Sequence, residues 1–288
     1  MSSLLDPDFL RRLSRLQVLA RRKFAGAAGG GRRSTRRGSS AEFADHRPYY
    51  PGDDVRRIDW NAYARLEELV LRLFVAEEDL TLYLMVDKSR SLAIGEPSKI
   101  DVAKRCAAAV GYVALSGSDR VSVVPYASRV ETPMAPTRGK RRIGALMRYL
   151  DALDCEGETD LSQVVDEFLS RRPKPGLVVL FTDLLDPGGY QRPIDRLLGE
   201  RHEPAIFHIL SKEELRPTPG GDLVLVDSER SVEIEASIDD RAIRAYLARL
   251  RSFLEGVESY TRRRGISYVR AGGDISFEDA LLAYLRAA

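Results

Sequence analysis

The sequence predicts an α/β fold: a doubly wound, mostly parallel sheet with helices on both faces, an N-terminal basic helix and arm, and a β-hairpin insertion. Three observations carry that prediction. From residue 80 onward, short apolar runs alternate with longer amphipathic ones, the pattern of strands joined by crossover helices. The runs TLYLMV (81–86), GLVVLF (176–181) and PAIFHIL (204–210) are apolar almost throughout, as strands are when helices cover both faces of their sheet. A hydrophobic content of 44% over 288 residues supplies a core and excludes a chain that is disordered throughout.

In chain order, residues 4–24 place Leu10, Leu13, Leu16 and Leu19 at helical spacing with arginines opposite, a short amphipathic basic helix. It runs into GAAGGGRRSTRRGSS (26–40), which is rich in glycine and reads as a linker. Residues 1–41 are therefore expected to form a basic arm separable from the fold. Residues 42–77 form a segment expected to pack on the main domain through Trp60, the only tryptophan. Residues 78–288 form that main domain. In it, strand 81–86 precedes a helix near 98–116, and strand 120–126 precedes a short strand near 129–132. Helices at 139–153 and 160–171 lead to strand 176–181, and a short helix near 190–199 leads to strand 204–210. The stretch DLVLVDSERSVEIEA (222–236) breaks the alternation as a hairpin insertion. A helix at 239–264, a strand at 266–271 and a helix at 276–287 follow.

Charge narrows the function classes by its distribution rather than its sum. The 45 basic and 43 acidic residues nearly cancel, yet residues 9–41 hold ten Arg or Lys and no acid. Such a segment offers sequence-blind electrostatic binding of nucleic acid or of an anionic membrane surface, or a solvated tail; specific nucleic-acid recognition is not expected. Cys106 and Cys155 form no metal-spaced or redox pair, which suits a reducing compartment. No run approaches the roughly 20 apolar residues of a membrane span, and no signal peptide is visible. The expectation is a cytoplasmic protein. The three histidines show no catalytic or zinc spacing, and His208, inside a strand, reads as a satisfied core residue. Phosphate-loop, dinucleotide and nucleophile-elbow motifs do not occur.

The candidate site starts at LMVDKSRSL (84–92). An apolar strand ends at Asp87, and Ser89 and Ser91 alternate beyond it. Asp183 follows a second strand, and Thr159 stands just before a helix. In doubly wound sheets ligands bind beyond the carboxyl ends of strands where the strand order reverses. Two carboxylates and three hydroxyls make a hard oxygen set that suits Mg²⁺ or Mn²⁺ rather than zinc. The bland alternative is that Asp87 and Thr159 merely cap helices.

Asp87-x-Ser89-x-Ser91, then Thr159, then Asp183, in this order over roughly residues 78–288, resembles the metal-ion-dependent adhesion site of von Willebrand factor A domains. The resemblance implies a Rossmann-like fold with those five residues around the metal, directly or through water. Lys88 and Arg90 stand between the site residues, and Glu158 stands where glycine often precedes the threonine. Upstream, EFADHRPYYPGDDVRRIDWNAYAR (42–65), with Arg47, Tyr49, Gly52, Asp53, Asp54, Arg56, Ile58, Asp59, Trp60, Ala64 and Arg65 as its spine, resembles the signature of the bacterial "domain of unknown function 58" family. That resemblance implies a non-enzymatic interaction or adaptor module working with a MoxR-type AAA+ ATPase, or its client, in assembly or maturation of protein complexes. The residues of this segment read on their own as a lattice of ion pairs among Asp53, Asp54, Asp59, Arg47, Arg56, Arg57 and Arg65. A second functional class stays open: a Mg²⁺-dependent phosphohydrolase using Asp87 as nucleophile. Such enzymes place a second carboxylate two residues on, and here that position is Ser89.

Overall fold

A computed structural model describes residues 4–16, 43–74, 81–218, 220–227, 229 and 233–287. The chain divides into two compact units, Ala25–Asp79 and a larger unit made of Met1–Phe24 with Leu80–Ala288.

The larger unit is built on a six-stranded sheet. Its strands are β3 (Thr81–Asp87), β4 (Arg120–Tyr126), β5 (Met134–Arg138), β6 (Leu177–Thr182), β7 (Glu203–Leu210) and β10 (Ser267–Gly272). They lie in the order β10-β7-β6-β3-β4-β5. All pairings are parallel except that of β4 with β5. The chain winds outward from β3 to β4 and β5 on one side, then returns to lay β6, β7 and β10 on the other. The order therefore reverses between β3 and β6. Gly176 permits a tight approach at the start of β6, where a Cβ would fall 2.2 Å from the Thr81 carbonyl oxygen.

Side chains alternate along a strand, and here the alternation sorts them into two apolar layers. Leu82, Leu84 and Val86 of β3 join Phe181, Phe207 and Ile209 on one face. That layer is covered by α3 (Lys99–Gly117), α4 (Ile143–Asp151) and α9 (Phe277–Ala287). Tyr83, Met85, Val178, Leu180 and Ile206 face the other way. They meet α5 (Leu161–Ser170), α6 (Gln191–Gly199) and the end of α8 (Asp240–Arg264). The short α7 (Lys212–Leu215) follows β7 and starts with a capping box between Ser211 and Glu214. A separate two-stranded ribbon pairs β8 (Gly221–Val226) with β9 (Glu233–Ile238), at the place expected for the hairpin insertion.

Two expectations need correction in this unit, and two short elements were not foreseen. The edge strand lies at 134–138, not 129–132, because it is the polar-looking MAPTR that pairs with β4. The turn 90–93 and α7 carry too little apolar pattern to be foreseen. The largest change concerns the start of the chain. Residues 7–16 form a helix, α1, and Phe9, Leu13 and Leu16 are buried in the same layer as α3 and α9. Phe9 lies 5.0 Å from Phe277 between ring centroids, and the Arg12 guanidinium stacks over Phe277 at 4.9 Å while pairing with Glu278. This part of the expected 1–41 arm is thus a core element, its leucine stripe being filled by α9 rather than left to solvent. Leu19, the glycine-rich stretch 26–40 and the 77/78 boundary lie outside the described residues.

In the smaller unit, β1 (Phe43–Pro48) pairs antiparallel with β2 (Val70–Phe74). A 3-10 turn, Val55–Arg57, and α2 (Trp60–Leu66) connect them. Asp54 caps the turn through Arg56 N–H, and Asp59 caps α2 through the N–H groups of Asn61 and Ala62. Arg47 forms a two-pronged pair with Asp53, at 2.8 and 2.6 Å. His46 reaches Asp59 at 2.9 Å. Among the described residues the expected lattice includes the Arg47–Asp53 and His46–Asp59 pairs, with Asp54 and Asp59 also serving as turn and helix caps. Within its own unit Trp60 is not a buried anchor. Its residue is 60% exposed, because it opens α2 and the face that helix buries is that of Ala62.

Candidate functional site

The reversal of strand order places the ends of β3 and β6 side by side, with Val86 opposite Phe181. Asp87 closes β3 and Asp183 follows β6, so both carboxylates arrive at one crevice edge, where doubly wound sheets hold ligands. Both are buried. Asp87 accepts hydrogen bonds from Ser89 N–H at 3.0 Å and from the Thr182 hydroxyl at 2.8 Å. Burial, and then the charge of Asp183 beside it, push the Asp87 carboxyl up to about 7.

After Asp87 the chain makes a 3-10 turn, Arg90–Ala93, anchored by fully buried Leu92. The turn brings Ser89 Oγ within 3.0 Å of Ser91 Oγ, and Ser91 Oγ donates to Asp183 Oδ2 at 2.9 Å. Four of the five expected residues thus meet in one polar cluster: Asp87, Ser89, Ser91 and Asp183.

The fifth, Thr159, is nearby but turned elsewhere. Its loop is held to the serine loop by Arg90 N–H to Gly157 O at 3.1 Å and Glu156 N–H to Lys88 O at 2.8 Å. Its hydroxyl and N–H, however, donate to Glu229 at 3.3 and 3.2 Å. Lys88 is drawn aside as well, its ammonium lying 2.7 Å from Glu131 and 2.8 Å from Glu156. The bland alternative fails for Asp87, which accepts within the site rather than capping a regular helix. The cap of α5 is Asp160, not Thr159.

Several partners were not foreseen. Lys99 of α3 is buried, with its ammonium 2.8 Å from Asp183 Oδ2 and 2.6 Å from Glu214. Burial works against that charge, but the two carboxylates outweigh it and raise the Lys99 pKa. His208 donates from Nε2 to the Asp183 carbonyl at 2.9 Å, since a carbonyl only accepts, and so accepts at Nδ1 from the Tyr268 hydroxyl at 2.7 Å. Burial holds this imidazole neutral, with a pKa down at about 4. Leu184, just after Asp183, adopts a left-handed φ of 58°. That conformation is costly for leucine and is held by its buried side chain and by its N–H to Thr182 Oγ1 at 3.1 Å. Tyr126, opposite Asp87 in register, buries its hydroxyl beside that of Thr182.

This cluster fits a hard divalent cation on two counts. Its donors are oxygens, and among the described residues three carboxyl groups, Asp87, Asp183 and Glu214, gather around the one ammonium of Lys99. Groups of three or more His, Cys, Asp or Glu in metal-binding array are absent among the described residues, so such a cation would depend on the hydroxyls.

The family described as "Protein of unknown function DUF58" matches residues 45–256 of this chain. An uncharacterized protein of Mycobacterium tuberculosis strain H37Rv is 29% identical over 239 residues, spanning 81% of this chain and 75% of that one. One from Mycobacterium bovis is similar to the same extent. Among solved structures, the conserved hypothetical protein BatB of Bacteroides thetaiotaomicron is similar at 13% identity. It covers 72% of this chain and 96% of that one, with a TM-score of 0.46.

Proposed function

The chain belongs to the DUF58 family of proteins of unknown function, and on that premise we propose that it is a non-enzymatic binding module that engages a protein partner through a divalent cation. The observation that carries this reading is the hydrogen-bonded run Ser89–Ser91–Asp183 beside Asp87 at the reversal of strand order. Asp87, Ser89, Ser91 and Asp183 would hold Mg²⁺ or Mn²⁺, with Thr159 as the fifth residue of the set. When bound, the ion supplies a hard positive charge with an exchangeable position for a partner's Asp or Glu. Lys99 holds Asp183 in place through the 2.8 Å contact, and His208 fixes the backbone from which Asp183 projects. A MoxR-type AAA+ ATPase, or a client of one, is the proposed partner, on the strength of the signature segment 42–65. The site favours binding over phosphoryl transfer because the Asp87 carboxylate is buried, with donors on both oxygens, and so presents no free nucleophile.

Titration calorimetry with Mn²⁺ and Mg²⁺ tests the reading. The expected result is saturable binding near one ion per chain, weakened at least about tenfold, or 1.4 kcal/mol, by Ser91→Ala. Ser91→Ala is the informative change, since Asp183→Ala would also remove one of the two carboxylates that hold the buried Lys99 ammonium and so disturb the fold. Absence of binding by the unaltered protein sinks the proposal.

A further inference from the structure

We propose that Thr159 carries a carboxylate-binding subsite, filled by the chain's own Glu229, and that the ligand it fits is an acidic side chain of a protein partner. The partner's nature rests on the binding-module reading; the subsite itself rests on separate contacts. On the β8–β9 ribbon Val224 and Val226 are exposed, and the two strands pair with each other. Yet its tip reaches the site edge. Glu229 spans Thr159, with Oε2 accepting from the N–H at 3.2 Å and Oε1 from the hydroxyl at 3.3 Å. Two donors set for the two oxygens of one carboxylate form a recognition fork, placed two residues ahead of the ten-residue helix α5, whose N-terminus favours negative charge.

The contact is also loose, and its surroundings explain why. Neighbouring carboxylates on the same helix start are held far more closely, Asp186 by Leu161 N–H at 2.6 Å and Asp160 by Gln163 N–H at 2.8 Å. The nearby ammonium groups are engaged elsewhere, Lys88 with Glu131 and Glu156, Lys99 with Asp183 and Glu214. Among the described residues Glu229 therefore rests on neutral donors beside the acidic groups Asp160 and Asp186, where like charges oppose it. Both Thr159 and Glu229 are half-buried, so the fork is within reach of an incoming residue. A partner's Asp or Glu would exchange with Glu229 one carboxylate for another, leaving the charge of the site unchanged, and the ribbon acts as a resident competitor that sets a threshold for binding.

The test uses amide resonances of the full chain, with acetate as the carboxylate probe, in EDTA and again in Mg²⁺. In Glu229→Ala the Thr159 amide should exchange with solvent about tenfold faster than in the unaltered protein. Acetate should shift that resonance saturably, at concentrations about tenfold lower than the unaltered protein needs. Adding Thr159→Val should abolish the response. A response in EDTA upholds the subsite even if the cation titration fails. Equal acetate responses with and without Glu229, or none in Glu229→Ala, overturn the proposal, and cation binding in that same sample would leave the binding-module reading standing.

Discussion

Asp87 is the residue whose protonation governs the site. Its folded carboxyl titrates at about 7, against about 4 in an unfolded chain. Between those values the folded protein keeps a proton that the unfolded chain releases, so stability falls as pH rises through this window and stays lowered above it. In EDTA, Asp87→Asn should therefore stabilise the protein at pH 8 by up to about 4 kcal/mol and by almost nothing at pH 3.5, read from urea midpoints. Added Mg²⁺ should stabilise the unaltered protein and not the variant. Equal stability of the two proteins at pH 8 in EDTA would mean that Asp87 is not strained by its charge. The site's outline was legible at this scale, because an apolar run that stops at Asp-x-Ser-x-Ser is a local pattern. Lys99, Tyr126, His208 and Glu229 were not legible. Each joins the cluster across a fold-level separation, 84 residues from Lys99 to Asp183 and 70 from Thr159 to Glu229, and nothing in their immediate neighbours marks them.

The elements were legible where apolar content and length agreed. β3, β6 and β7 announce themselves as buried runs, and α3 and α8 as long periodic ones. β5 was placed wrongly because an edge strand, paired on one side, has little reason to be apolar: Pro136 and Thr137 of MAPTR leave it looking like a loop. α1 was identified as a helix and misjudged in role, because its arginine face suggested a free arm while its leucines found α9. Leu13 is fully buried in that contact. Leu13→Ala should cost about 2–5 kcal/mol, whereas Arg11→Ala, on an exposed pair with Asp8, should cost under about 1 kcal/mol. Thermal melts of the two variants check this, and a Leu13→Ala protein as stable as the parent would return α1 to the status of a tail.

At the scale of the whole molecule, the unit Ala25–Asp79 interrupts the larger one between α1 and β3. The sheet and both apolar layers of the larger unit are built from that unit's own residues. Replacing residues 25–79 with a flexible Gly/Ser linker should leave the α/β unit folded and cooperative, as insertions into a complete core are tolerated. Near-ultraviolet circular dichroism and a single unfolding transition would show this, and a molten product would mean that the inserted unit completes the core.

The seating of Phe9 on Phe277 has a further consequence for synthesis. The two rings are 268 positions apart in the chain, so on the ribosome α1 emerges long before the helix that covers its leucines. At 5–20 residues per second that interval is roughly 13 to 54 s. Throughout it Phe9, Leu13 and Leu16 are an exposed apolar stripe beside a run of arginines, the kind of nascent segment that chaperones hold. Closure of the layer is then a late step, and ribosome stalling ahead of α9 would leave a nearly complete sheet with its first helix still undocked.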